Sequence, residues 1–253
     1  MEISFVVFPF IIGLVLGSFF NVVGLRVPKN ESIVEPPSHC SKCKRRLTPL
    51  DLIPVVSYLC LRGRCRTCGT KISPLYLWIE LLTGILFTMA TYKIGFTSEL
   101  AVVLLFISLL IIIVVSDIVY MIIPDKILLF FLPFLILGRI LVPLDPWWDS
   151  VVGAIIGFGM LYFIAFVSKG GIGGGDIKLF FLIGLVLGWK NTILTLFLAS
   201  IIGLIIGIIT LKVRAEGKKT PFPFGPAIAI SAITVYFYGD LIVKWYIILL
   251  LKE

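Results

Sequence analysis

The sequence predicts an all-α integral membrane protein of about eight spanning helices, with one small polar domain between the first and second. Three observations carry this. The 253 residues are 59% hydrophobic with a mean hydropathy of +1.12. Only 14% are charged, against about 25% in soluble domains. The apolar residues fall into separate runs near the ~20 residues a helix needs to cross the hydrocarbon. A surface of this composition needs lipid as its main solvent.

The runs place candidate spans at roughly 4–25, 75–95, 100–117, 126–144, 151–168, 177–189, 191–212 and 226–250. The stretch 179–211 is too long for one helix, and Gly188-Trp189-Lys190-Asn191 reads as a turn that divides it. The sixth span is then short: Asp176 to Trp189 would cover about 21 Å at 1.5 Å per residue. Short, glycine-interrupted spans tend to line functional cavities. The opening run Met1–Phe20 has no basic n-region and no small-residue cleavage site after it, so it reads as a retained helix and not as a signal peptide. The domains follow as 1–25 (first helix), 26–74 (polar domain) and 75–253 (multi-helix membrane domain).

Charge sets the expected orientation. With the 26–74 segment on the cytoplasmic side, only Lys93, Arg139, Lys190, Lys244 and Lys252 fall outside, leaving 17 of 22 Lys and Arg inside. That bias predicts the N-terminus outside with eight spans. The net charge of +8 is therefore read as topology. No basic face with interleaved aromatics suggests nucleic acid.

The polar domain is too small to fold securely on its own core and needs a staple. Cys40-Ser-Lys-Cys43 and Cys65-Arg-Thr-Cys68 are two C-x2-C pairs. Two intervening residues let each backbone turn aim both sulfurs at one ion, and four thiolates suit tetrahedral Zn2+. Gly69 fits a tight knuckle with positive φ. Lys42, Lys44, Arg45, Arg64 and Arg66 would offset the negative charge. The alternatives are a redox pair or two disulfides, the latter rare in the cytoplasm. Cys60 is left over and reads as a small apolar core residue. His39 adjoins Cys40 and could stand in for a thiolate, although an outer or exposed position suits it better.

Two carboxylates stand at span ends. Asp117 closes the apolar run of the third span, where a charge costs less than at mid-bilayer. Asp176 follows Gly170-Gly171-Ile172-Gly173-Gly174-Gly175 and opens the short sixth span. Each glycine disfavours helix by about 1 kcal/mol, and the run admits close backbone approach. The topology puts both carboxylates on the cytoplasmic side. Two nearby carboxylates in a low-dielectric site share one proton, giving one base for water and one acid for a carbonyl or leaving amine. The pair's titration belongs to both residues together. The only histidine, His39, lies in the cysteine loop, which argues against a Ser-His-Asp arrangement within the membrane. Asp125, after Pro124, reads mainly as the start of span four. Glu80, early in span two, could face a polar cavity or pair with a loop cation.

These residues, in this order, resemble the prepilin peptidase family, the type IV leader peptidases, which are membrane aspartic proteases of the GxGD kind. The likeness runs along nearly the whole chain. It comprises Gly17-Ser18-Phe19-Phe20-Asn21 with Arg26-Val27-Pro28, the segment from Pro37 through the four cysteines, and Ile72-Ser73-Pro74 through Glu80. It continues with Asp117 and Ile123-Pro124-Asp125, Gly173-Gly174-Gly175-Asp176 with Lys178, and Pro223-Phe224-Gly225-Pro226. One departure is Gly-Gly-Ile at 170–172, where many members carry a methionine. The resemblance implies cleavage of the basic leader of type IV prepilin or type II secretion pseudopilin precursors at the cytoplasmic face of the inner membrane. Asp117 and Asp176 match the family's catalytic pair. It also implies N-methylation of the new amine from S-adenosylmethionine, for which no G-x-G-x-x-G signature is present. Two other classes share parts of the pattern: a proton-coupled transporter, with its intramembrane carboxylates and broken helices, and a non-catalytic assembly scaffold.

Overall fold

The computed structural model describes residues 4–213 and 223–250. Among these the chain is helical, with no strand beyond two isolated bridges, His39 to Arg46 and Arg64 to Lys71. The helices are α1 (Ser4–Arg26), α2 (Val56–Cys60), α3 (Pro74–Ile94), α4 (Ser98–Tyr120), α5 (Asp125–Leu141), α6 (Asp149–Val167), α7 (Gly174–Val213) and α8 (Gly225–Leu250). The protein is a multi-pass membrane protein. Of the basic residues used for orientation, Arg214, Lys218, Lys219 and Lys252 lie outside the described residues.

Every predicted span has a helical counterpart, with two differences. Six helices are long and apolar enough to cross a bilayer among the described residues. The eighth-span count needs α5, whose 17 residues cover about 26 Å at 1.5 Å each, and it needs α7 taken as two. The predicted break in α7 falls at Gly188, with φ 75° and ψ 172°. Its two half-helices are closed by opposite charges. Arg139 donates from Nη2 to the Val186 carbonyl at 2.7 Å, and Asp149 accepts the Trp189 N–H at 3.2 Å. A cation at a helix C-terminus and an anion at an N-terminus match the dipole. Sequence reading missed both caps, because Arg139 and Asp149 lie far from Gly188 along the chain.

The chain forms two compact units, Met1–Ser116 and Asp117–Glu253. In the first, α1 lies against α3 through small residues: a Cβ on Gly13 would sit 2.7 Å from Gly84 Cα, and one on Gly17 would sit 2.9 Å from Glu80 Cα. In the second, Gly153 and Gly157 of α6 meet α7, where Gly153 and Gly184 each occupy the space a Cβ on the other would need. Gly13/Gly17, Gly153/Gly157 and Gly184/Gly188 are all G-x-x-x-G pairs, the spacing that lets membrane helices approach backbone to backbone. The signal was in the sequence and was not read.

Overpacking is costly where the neighbour is backbone that cannot swing aside. Gly153→Ala is expected to lose about 1–3 kcal/mol, read as a lower Tm in detergent. Gly159→Ala, which meets nothing within 4 Å, should leave Tm unchanged.

Candidate functional site

Asp117 lies in the last turn of α4 and is buried, 6% exposed. The helix ends just beyond it: the Met121 N–H bonds the Asp117 carbonyl at 2.9 Å, and Met121 is left-handed at φ 55°. The carboxylate itself accepts the Gly225 N–H at 2.6 Å. Gly225 is the first residue of α8, so the positive end of that helix faces Asp117. A Cβ at Gly225 would stand 2.8 Å from Asp117 Oδ2. Glycine is therefore the side chain this approach accepts.

Asp176 sits in the first turn of α7. The glycine run divides its work among several positions. Gly170, at φ 91°, closes α6 with its N–H on the Ala165 carbonyl at 2.9 Å, a left-handed helix stop. The Gly173 carbonyl accepts the Asp176 N–H at 3.1 Å and starts α7. A Cβ at Gly175 would lie 2.6 Å from Ile123 Cβ, so the α4–α5 turn comes close to the α7 start. The helix begins at Gly174, earlier than a run of glycines suggests, because packing outweighs intrinsic propensity.

Asp117 and Asp176 are close enough for direct charge repulsion. The two carboxylates, 59 positions apart in sequence, thus lie in one unit within range of each other's charge. Beside them Asp125 opens α5 as expected, and its carboxylate also pairs with Lys178 at 2.6 Å. Gly225 was not singled out from the sequence as a site residue. The Pro-Phe-Gly-Pro string was the available signal.

The other centre lies in the first unit. The ligand atoms of Cys40, Cys43, Cys65 and Cys68 all fall within 4.8 Å of one another. Sγ separations are 3.7 Å for Cys40–Cys68 and 4.0 Å for Cys43–Cys65. Four thiolates at ~2.3 Å from a tetrahedral Zn2+ stand ~3.8 Å apart, so the cluster fits a metal ion. The two knuckles repeat one geometry. Lys44 N–H bonds Cys40 O at 3.0 Å and Gly69 N–H bonds Cys65 O at 2.9 Å. Both residues are left-handed, at φ 57° and 67°. Gly69 met the expectation, and Lys44 does the same work with a side chain. Beside the Thr70 hydroxyl, Cys68 has its pKa lowered to about 6.

One expectation for the loop needs correction, for Cys60, and the favoured position of His39 is met. Cys60 is exposed and not a core residue, because α2 has five residues and buries none of them. His39 stays outside the cluster, exposed, with its Nδ1 3.0 Å from the Pro37 carbonyl.

Asp51 stands in the segment that carries the family resemblance, but was assigned no role from the sequence. Its carboxylate takes the Thr48 N–H at 3.1 Å and hydroxyl at 2.9 Å, Arg45 at 2.6 Å and Arg66 at 2.9 Å. Arg45 follows the first knuckle and Arg66 lies inside the second, so one carboxylate ties both. The Thr48 backbone N–H foremost, then its hydroxyl and the two guanidiniums, hold the Asp51 carboxyl well below the usual carboxylate range. A depressed folded-state pKa gives stability that is complete above the unfolded value of ~3.9 and is lost as pH falls through the folded value. Asp51→Asn is expected to weaken metal retention about tenfold in chelator competition. The gap from the native protein should hold from pH 7 to about 5 and close only in stronger acid.

Fold and centres together define a class: a multi-pass helical membrane protein with paired carboxylates at the helix ends of one unit and a tetracysteine loop in the other. Comparison with known proteins narrows it. Residues 11–94 match the bacterial peptidase A24 N-terminal domain, and residues 104–208 match the type IV leader peptidase family. A Bacillus subtilis protein named prepilin leader peptidase/N-methyltransferase is 47% identical, covering 94% of this chain and 96% of its own length. Relatives of the same name in Pseudomonas aeruginosa (32% identical; 97% and 94% covered) and Myxococcus xanthus (37%; 86% and 66%) also align. No solved structure matches. The chain belongs to the type IV leader peptidase family and is an enzyme of it, as the ordered motifs implied.

Proposed function

We propose that this enzyme cuts the leader from prepilin or pseudopilin precursors with Asp117 and Asp176, and then methylates the new N-terminal amine. What supports the reading is that Asp117, at the end of α4, and Asp176, at the start of α7, stand within range of each other's charge in a chain of this family. One carboxylate takes a proton from water as the water oxygen bonds the scissile carbonyl carbon. The other gives its proton to the carbonyl oxygen. The carbon–nitrogen bond then breaks as the first carboxyl passes its proton to the leaving amine and a hydroxyl of the intermediate returns a proton to the other carboxylate. Gly225 N–H orients Asp117 throughout. The Gly173–Gly175 segment leaves room for an extended peptide, whose amides a helix would hide.

The setting is the plasma (inner) membrane, N-terminus outside, with carboxylates and cysteine loop facing the cytoplasm. The charge bias supports this. A basic leader would stay in the cytoplasm while the precursor's apolar helix enters lipid. The scissile bond then falls at the interface.

Cys40, Cys43, Cys65 and Cys68 are proposed to hold Zn2+, which supplies a structural cross-link for a loop with little core. The methyl donor is a second substrate, S-adenosylmethionine by resemblance. The methyl leaves the sulfonium sulfur as a carbon–nitrogen bond forms, and the amine releases a proton. The larger of two cavities does not fit this donor. This cavity, about 430 Å³, has a nearly wholly apolar lining of Leu128, Leu129, Leu132, Phe158 and Phe181 beside the Asp125–Lys178 pair. No step is therefore assigned to a donor seat.

The test is incubation of purified enzyme with a prepilin and S-adenosylmethionine, followed by mass spectrometry. Leader loss and then a methyl gain on the product are expected. An intact precursor would refute the reading.

A further inference from the structure

Glu80 belongs to neither centre, yet it is 7% exposed near the start of α3. A buried carboxylate is retained only with partners that satisfy it. Its partners are not a loop cation, one of the expectations for it, but the Val55 N–H at 2.7 Å and the Ser18 side chain of α1. Val55 precedes α2 within the cysteine loop. It holds φ 63° and ψ −52°, the strained γ-turn conformation closed by the Val56 N–H on the Pro54 carbonyl at 2.6 Å, which β-branched residues strongly resist. Such an outlier persists only where its surroundings impose it. The anchor itself is rigid. Gly17 leaves no space between α1 and α3 at Glu80 Cα, and Asn21, fully buried, donates to the Tyr76 carbonyl of α3 at 3.3 Å. One acidic side chain thus joins a strained point of the metal-binding loop to a close-packed helix pair.

We propose that Glu80 is a positioning residue for amine methylation: its bond to the Val55 N–H fixes the cysteine loop on α1 and α3 in the register that the second reaction needs. Cleavage does not use this latch. The proposal rests on the methylation proposed above and adds that the cysteine loop serves that step.

The test follows leader loss and methyl gain separately by mass spectrometry, using full-length Glu80→Ala, Glu80→Gln and Cys40→Ser with prepilin and S-adenosylmethionine. Glu80→Ala is expected to lower methylation about tenfold or more while cleavage stays within about threefold, the pattern of a misplaced but folded site. Glu80→Gln keeps an oxygen that accepts the same N–H and should restore methylation. Native methylation in Glu80→Ala, or an equal fall in both activities, overturns the proposal. If Glu80→Ala does not accumulate, hydrogen exchange at the Val55 amide in Glu80→Gln decides. Protection retained with methylation retained supports the latch, and methylation lost under intact protection refutes it. Cys40→Ser separates the two levels. If it methylates normally, the underlying reading fails. If it does not while Glu80→Ala does, only the latch fails.

Discussion

Replacing Asp117 or Asp176 by asparagine is expected to stop precursor cleavage, lowering kcat about 10⁴-fold, with the protein still inserted in the membrane. An amide can neither take a proton from water nor give one to a carbonyl under these conditions. A 10⁴-fold loss is about 5.4 kcal/mol of transition-state stabilisation. Neither change opens a cavity, since Asn and Asp have nearly the same shape, so membrane content should be unchanged. Quantitative mass spectrometry of leader loss, beside an immunoblot of membranes, checks this. A scaffold would tolerate both changes, and a transporter would lose flux without ever having processed precursor.

Gly225→Ala is expected to lower kcat about 100-fold with KM little changed. The added methyl would stand 2.8 Å from Asp117 Oδ2, 3.0 Å from its Cβ and 3.1 Å from its Cγ. Because Cβ is among the crowded atoms, rotation about the outer bonds alone cannot relieve the clash. The helix end or the aspartate must shift by a few tenths of an ångström or more. Misplacement of a catalytic group on the scale of 1 Å costs about 10²-fold. Steady-state kinetics on purified variants would show it, with Gly159→Ala as the unaffected comparison. A Gly225→Ala enzyme of native kcat would mean that the α8 N-terminus does not orient Asp117 during turnover.

Much of this was legible in the sequence because membrane physics is severe. Hydrocarbon forces helices, so run lengths located every spanning helix, and the excess length of one apolar run with the Gly188-Trp189-Lys190-Asn191 string located the break at Gly188. The paired cysteines were legible because their spacing is local. What escaped was long-range and polar. Arg139 on Val186, Asp51 between Arg45 and Arg66, and Glu80 on Val55 each join segments whose proximity depends on packing. Spacing along the chain does not encode these contacts. The G-x-x-x-G pairs are different: they were readable, and they explain how α6 and α7 come close enough to define the α7 start. Cys60 was misplaced for a physical reason. A five-residue helix in a loop without a hydrophobic core has no interior to bury it.

The proposed cleavage needs two carboxylates acting as one unit, and the most direct measurement is kcat/KM for prepilin cleavage by Asp117→Asn, Asp176→Asn and the double variant. Residues that share one proton are not additive. The double variant should therefore be no slower than either single. Two independent losses that multiply in the double variant, or a single variant that retains native turnover, would contradict it.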